Sequence, residues 1–510
     1  IECLKKFNGM FAFSLYDNLK KKLYLCRDRY GIKPLYYHLT KDNFFVYASE
    51  VKSILEYKDY VNKTDTEALI EYFTFQNIFT NKTLHKNIHL LEAGHFFEID
   101  ILKKKINKFQ YWDFNFIDPG KINDEREYLE ELDRLFVQAV KRQLVSDVPV
   151  GAYLSGGIDS GSITAIASNH LRASDFFLKT FTVGFDLTNA NGLELNFDER
   201  KKARYMSKIF KTEHYEMELK SGDMEKCLPK FTYHLEEPRV GQSYPNYYAA
   251  KLASKHVGVV LSGTGSDELF AGYPWRYFKT SKSKGFDDYI DKYYKFWQRL
   301  IPNKELSRLF SPIKNDIKNV WTRDIFKRVF KKPRVAQTTE GYINNSLYFE
   351  SKTFLNGLLL VEDKLSMAHS LETRLPFLDN DLVDFAQKVP LKLKLNGINK
   401  LLNLDENEIG KFKKSNNGKI ILRKSMNKYL PKKIYRAAKQ GFSSPDNSWF
   451  KNESLNFVKN NLFKDNSNIY RYMDKEIVKI LVREHLDGKI NRRLFIWSLL
   501  NFEHWINIYG

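Results

Sequence analysis

The sequence predicts an α/β protein in two parts, a β-rich amino-terminal domain and then a doubly wound parallel sheet that ends in a helical carboxyl-terminal region. Three observations carry this. Over the first ~110 residues, short apolar runs alternate with turn residues. From Asp124 onward, strand-like runs alternate with helical stretches. After about residue 345 the pattern is mostly helical. A chain of 510 residues exceeds one ordinary core, and 43% apolar content with 15% aromatics is ample for packed domains.

The elements follow in order. Phe11–Tyr16 and Leu23–Cys26 read as strands with a turn opening at Asp17-Asn18, and Lys33–Tyr37 and Asn43–Ala48 read as a second pair. Ala93–Ile99 and Asn107–Phe109 look like a closing hairpin. The polar stretch from Asp118-Pro119-Gly120-Lys121 to Asp124 is the linker, dividing a domain over 1–115 from one over 124–510. Asp124–Arg142 carries a helical apolar stripe through Leu129, Leu132, Leu135, Phe136, Ala139 and Val140. Four short strands come next: Val150–Leu154, Thr180–Val183, Tyr215–Leu219 and Val257–Leu261. Helices such as Arg200–Ile209 and Tyr244–Ser254 lie between them. In such sheets ligands bind at the carboxyl ends of the strands.

Bulk properties narrow the function. No run of eighteen apolar residues exists, so no membrane partner is expected. The formal charge is +20, but the lysines are dispersed along the whole chain. They read as solvated surface, and no nucleic-acid partner is expected. Cys3, Cys26 and Cys227 form neither a metal spacing nor a disulfide framework, which predicts reduced thiols in a cytoplasmic protein. The opening Ile1-Glu2-Cys3-Leu4 is neither a start methionine nor a leader, so a fragment of a longer protein is expected.

The chemistry is concentrated in Leu154-Ser155-Gly156-Gly157-Ile158-Asp159-Ser160, which follows a strand and opens a helix. The glycine pair permits a tight turn, and successive N–H groups at a helix start form an anion cradle. Ser155 and Ser160 add hydroxyls, and Asp159 is placed to hold Mg²⁺ against phosphate oxygens. A lone turn and helix cap would give fewer of these parts in this order. No Gly-x-x-x-x-Gly-Lys-Ser/Thr string is present, so a Walker-type kinase or ATPase is disfavoured. A cradle without that lysine suits the pyrophosphate portion of ATP, with attack at the α-phosphate.

A second motif, Ser262-Gly263-Thr264-Gly265-Ser266-Asp267-Glu268 through Tyr273, also follows a strand, so its loop should meet the first at one sheet edge. Asp267 is a second candidate for Mg²⁺. By itself this would read as a glycine-rich turn. A third stretch, Glu362–Asp379, mixes charges into an apolar helix and turn. There Glu372 and Arg374 either recognise the charged ends of an amino acid or form a structural ion pair. His369 reads as a core or cap residue. Lys439, in Lys439-Gln440-Gly441-Phe442, could neutralise the leaving pyrophosphate.

Together these residues resemble the asparagine synthetase family, class II amidotransferases joined to an ATP-pyrophosphatase domain. Ser155–Ser160 is similar to its pyrophosphate loop, Ser262–Tyr273 to its second nucleotide motif, and Ser366–Asp379 to its Ser-Met-Ala-His-Ser-Leu-Glu signature. The resemblance implies that Leu154, Val183, Ser262 and Gly263 contact adenosine or ribose. It also implies that Asp159 and Asp267 bind Mg²⁺, and that Lys439 lies near the α-phosphate. The implied reaction makes β-aspartyl-AMP from aspartate and ATP, after which ammonia displaces AMP to give asparagine.

Asn8–Phe13, Arg27-Asp28-Arg29-Tyr30-Gly31-Ile32-Lys33-Pro34-Leu35-Tyr36-Tyr37 and Ala48-Ser49-Glu50 resemble the second half of the family's glutaminase domain. The implied fold is part of an Ntn-type αββα sandwich ahead of an adenine nucleotide alpha hydrolase-like domain. The family's amino-terminal nucleophilic cysteine has no counterpart, and Cys3 does not match it. The chain is expected to take ammonia, or glutamine only through a segment it lacks. The oligomeric state stays open, a homodimer being one arrangement.

One departure is Thr264, where the family usually carries Glu or Asp; threonine cannot serve as a carboxylate base. Glu268 or Glu237 could compensate. The alternatives are a relative adenylating another carboxylate (sugar or peptide amidation, or ring closure), a tRNA-modifying enzyme sharing the Ser-Gly-Gly-x-Asp-Ser loop, and a scaffold that binds ATP without chemistry. A substrate panel, salt-sensitive tRNA binding and nucleotide turnover separate them.

Overall fold

The computed structural model describes residues 2–42, 44–117, 119, 124–173, 175–330, 338–397, 417–438, 441 and 443–510. Most of the expected linker (Asp118 and 120–123) and Lys439 lie outside the described residues.

The amino-terminal part pairs two antiparallel sheets. Strands β1 (Ala12–Asp17), β2 (Lys22–Arg27), β6 (His95–Asp100) and β7 (Lys105–Gln110) form one, in that order. Strands β4 (Phe45–Ala48), β3 (Tyr36–Leu39) and β5 (Ile88–Leu90) form the other. Alternate residues of the strands meet between the sheets, where Leu25, Leu35, Leu91, Phe97 and Ile99 are buried together.

Strand β3 starts at Tyr36 rather than at Lys33. Pro34 supplies no N–H, and the loop before it is held by two buried side chains instead of a ladder. The Asp28 carboxylate accepts the N–H groups of Tyr30, Ile32 and Lys33 at 2.9–3.1 Å. Arg27 donates to the carbonyls of Lys33, Gly31 and Leu91 at 2.5–2.8 Å.

Two helices accompany these strands: α1 (Val51–Leu55) and α2 (Thr66–Phe75). Asp65 caps α2 through the Ala68 N–H, and every residue from Ala68 to Phe75 is buried. A helix buried all round shows no apolar stripe, which is why periodicity does not reveal it. Its Tyr72 hydroxyl donates to Ser498 Oγ at 3.0 Å, so it packs inside the carboxyl-terminal helices.

The second part is the parallel sheet. Strands β8 (Val150–Tyr153), β9 (Lys179–Phe185), β10 (Glu213–Leu219) and β11 (Val259–Leu261) are joined by a fifth, β12 (Glu372–Arg374). Their spatial order is β10-β9-β8-β11-β12, with all pairings parallel. Helix α3 (Glu125–Gln143) precedes β8, and α4 (Ile158–Arg172) and α5 (Arg200–Phe210) pack against each other beside it. Helices α6 (Ser221–Leu235) and α7 (Tyr244–Ala253) form a second pair, α7 lying on β9 and β10. Beyond residue 338 the described chain is mostly helical, as expected. Among the described residues no helix is long and apolar enough to cross a membrane.

Glu71 of α2 is fully buried and accepts from the Thr80 N–H and hydroxyl, each at 2.8 Å. Burial pushes its carboxyl from 4.5 up to about 7. The folded chain thus keeps a proton that the unfolded chain has released, and stability falls as pH rises through that window, levelling above it. Glu71→Gln cannot ionise. In thermal melts from pH 4.5 to 8 it should gain on the parent chain by about 3 kcal/mol across the window and nothing further above it.

Candidate functional site

The loops after β8 and β11 converge because these strands are neighbours in the sheet. A Cβ on Gly263 would lie 3.0 Å from Asp159 Cβ and 3.2 Å from the Ser160 nitrogen, so the second loop rests directly on the start of α4. Between and beyond them opens a cavity of about 1050 Å³. Its lining takes in Leu154 to Ser160, Val183, Ser262, Gly263, Thr264, Asp267 and Glu268.

In the first loop, Ser160 Oγ accepts the Ser155 N–H at 3.0 Å and lies 3.0 Å from Ser155 Oγ, which in turn accepts the Gly157 N–H at 3.2 Å. The two serines therefore brace the loop from inside. Neither Gly156 nor Gly157 takes a left-handed backbone; Gly156 is required by space. A Cβ there would come within 2.6 Å of Lys202 Cδ and 2.9 Å of Glu199 Oε1.

The two acidic residues are drawn together by a lysine that the motifs do not contain. Lys419 Nζ lies 2.8 and 2.7 Å from the Asp159 carboxylate oxygens and 2.6 Å from Asp267 Oδ1, with its side chain 2% exposed. Ser266 Oγ adds a hydrogen bond to Asp159 Oδ1 at 2.6 Å, tying the second loop to the first. Lys419 takes a left-handed φ of 57° just before the helix Ile420–Ser425, and its N–H donates to the Phe270 carbonyl at 3.0 Å. The fit leaves no room to spare: a Cβ on Gly272 would sit 1.9 Å from Asp267 Oδ1 and 2.6 Å from Lys419 Cε.

Asp159 and Asp267 would share Mg²⁺ with polyphosphate, which takes few protein carboxylates, once Lys419 Nζ yields part of its place between them. Among the described residues no cluster of three or more His, Cys, Asp or Glu competes as a metal site.

Glu268, named as a compensating acid for Thr264, lines the cavity but accepts the Tyr273 hydroxyl at 3.1 Å. Burial, and then the neighbouring Asp267, push its carboxyl up to about 7. Glu237 does not reach the cavity. It is buried, pairs with Arg239 and accepts the Leu84 N–H at 2.9 Å. A further acid, Glu362 on the helix Phe354–Met367, lines the cavity together with Ser262 and Thr264. The hydroxyls of Ser262 and Thr264 lie 3.3 Å from each other, and burial raises the proton affinity of Glu362 against their opposing influence. Sequence reading misses Glu362 because its helix lies about a hundred residues beyond Thr264. The only signal is an acid inside an apolar helical run.

Glu372 and Arg374, offered as amino-acid-recognising residues or as a structural ion pair, form the ion pair in this structure. They form β12, and neither lines the cavity. Arg374 Nε donates to Glu372 at 2.7 Å, and its Nη1 donates to the carbonyls of Gln143 and Val145 at 2.8 and 2.6 Å. The structural ion pair is the outcome, and it fastens the edge strand to the end of α3.

Comparison with known proteins agrees with this architecture. Residues 131–507 match the family model described as asparagine synthase, and residues 1–112 the one described as a glutamine amidotransferase domain. The glutamine-hydrolyzing asparagine synthetase 1 of Bacillus subtilis is 30% identical over 547 aligned residues, covering 99% of this chain and 78% of that protein. The putative glutamine-hydrolyzing asparagine synthetase 2 of Methanocaldococcus jannaschii is 34% identical over 65% of this chain and 60% of its own. A Penicillium rubens protein named amidase chyE is 25% identical over 86% of this chain and 70% of its own. A match that spans the parallel sheet, both loops and the helices behind them places this enzyme in the asparagine synthase family.

Proposed function

We propose that the chain is an ATP-dependent amide synthetase that adenylates aspartate and passes the acyl group to ammonia. The observation that carries this reading is the meeting of two strand-end loops, braced by Lys419 and Ser266, in one cavity. Leu154, Val183, Ser262 and Gly263 would hold the nucleoside. The N–H groups and hydroxyls of Ser155 to Ser160 would cradle the phosphates. Asp159 and Asp267 would hold Mg²⁺, which when bound draws charge from the phosphate oxygens.

The aspartate side-chain carboxylate attacks the α-phosphorus, forming a carboxyl–phosphorus bond and breaking the bond to pyrophosphate. The buried Lys419 ammonium offsets charge on the departing group, and Lys439, outside the described residues, is assigned the same task. Ammonia then attacks the acyl carbon, AMP leaves, and a proton must be taken from nitrogen. Glu362, which lines the same cavity as Thr264 and whose proton affinity burial raises, would receive it. Ammonia, free or released from glutamine, is the donor assigned to this site.

Thr264 and the size of the cavity favour one second reading, a bulkier carboxylate in place of aspartate.

Product analysis with ATP, Mg²⁺, aspartate and either ammonium or glutamine tests both. Pyrophosphate, AMP and asparagine in equal amounts are expected with ammonium. ADP as product would refute the mechanism, and turnover of a larger carboxylate alone would select the second reading. Glu362→Gln should lower asparagine formation about 100-fold while ATP still binds; an unchanged rate removes Glu362 from the chemistry. Gly272→Ala should lower kcat/KM for ATP about 100-fold, because Asp267 and Lys419 must part to admit the methyl group. Circular dichroism would show the fold retained.

A further inference from the structure

The string Arg27–Lys33 has no part in the nucleotide site, yet its end reaches toward it. Lys33 Nζ lies 2.6 Å from Asp363 Oδ1, with the two side chains 24% and 9% exposed. Asp363 directly follows Glu362. Successive residues of an α-helix point about 100° apart, so three consecutive charged residues here face three ways. Glu362 faces the cavity it lines with Ser262 and Thr264, Asp363 meets Lys33, and Lys364 pairs with Glu236 and lies 4.5 Å from the centre of the Tyr36 ring. Any turn or slide of the helix Phe354–Met367 that moves Asp363 moves Glu362 with it.

Lys33 is a firm anchor for such a contact. Its N–H and its carbonyl are both held by the fully buried Asp28 and Arg27, at 3.0 and 2.8 Å. The same loop docks on the second domain twice more, through Arg29 to Asp384 at 3.2 Å and the Tyr30 hydroxyl to Asn380 Oδ1 at 2.9 Å.

We propose that Lys33, in the amino-terminal domain, is a positioning residue for amide formation: its ion pair with Asp363 sets the helix so that Glu362 keeps its place in the cavity beside the Thr264 loop. This rests on the reading of Glu362 as the proton acceptor. It explains why a loop outside the ATP domain is built around two buried charges, since a flexible loop could not fix a helix to within a fraction of an ångström.

The test uses the full chain with ATP, Mg²⁺, aspartate and ammonium. Lys33→Met should lower kcat for asparagine about tenfold with KM for ATP changed less than about twofold, and Lys33→Arg should restore most of the rate. Combined with Glu362→Gln, Lys33→Met should cost nothing further, because the two act through one group. In parallel, hydrogen exchange should rise over residues 354–367 in Lys33→Met and stay unchanged over 158–172. The double variant Lys33→Met/Asp363→Asn leaves neither full charge unpaired and carries the same readouts if Lys33→Met does not fold. An unchanged kcat, a loss confined to KM, a full additional loss on top of Glu362→Gln, or unchanged exchange over 354–367 would each overturn the proposal. If Glu362→Gln is as active as the parent chain, the proton-acceptor reading falls. If the parent chain makes no asparagine, the choice of aspartate falls, and the exchange measurement alone decides whether Lys33 holds the helix.

Discussion

The candidate site depends on one buried ammonium. Asp159 and Asp267 come from loops after adjacent strands, and two carboxylates brought this close repel unless a cation lies between them. Lys419 fills that place, reaching both within 2.6–2.8 Å from a backbone turn stitched to Phe270. Removing a charge from such a buried group would leave its partners uncompensated, so the loops, the turn at 418–419 and the helix after it have to form together. The helical carboxyl-terminal region is therefore part of the nucleotide cavity rather than an appendage to the sheet.

A second constraint is the helix Phe354–Met367, which is a wall shared by both domains. One side contributes Leu358, Val361 and Glu362 to the cavity, while Asp363 and Lys364 face the amino-terminal sheets. On that face Glu236 binds Lys364 and accepts the N–H groups of Val51 and Lys52 at 2.9 and 2.8 Å, so it closes the start of α1 as it pairs. Burial alone would raise its proton affinity, but Lys364 and Lys52 outweigh that and hold it ionised. Contacts of this kind order the two domains against each other far more than an apolar surface would, because a misplaced buried charge costs several kcal/mol, on the order of 3–5.

What the sequence discloses is what local chemistry determines. Ser155–Ser160 and the loop after β11 are legible because strand, glycine, hydroxyl and acid must follow one another in the chain to build an anion cradle. Helix α3 is legible because its apolar stripe faces one core. Helix α2 is not, being buried on every side, and β12 is only three residues of mixed polarity that become a strand by pairing with β11. Lys419 and Glu362 are illegible for a different reason. Each is one charge in an ordinary helical context, and its role exists only once the loops near 159, 264 and 267 stand opposite it. Glu372 and Arg374 are open to two readings in the sequence, recognition or an ion pair, and the structure shows the pair that pins an edge strand.

Thr264 makes the same point about chemistry. An acid required at a reacting centre need not sit at one place in the chain, only at one place in space. Of the acids near the loop, Glu237 is consumed by Arg239, and Glu268 is turned toward the Tyr273 hydroxyl. Glu362 shares the cavity with Thr264, on a helix whose burial strips water from it. Such a setting raises a carboxylate's proton affinity, and a proton acceptor works best when that affinity approaches the working pH. Threonine at 264 then has a positive role. Its neutral hydroxyl adds no charge to the cavity that Glu362 also lines, where a second acid in its place would have repelled that carboxylate.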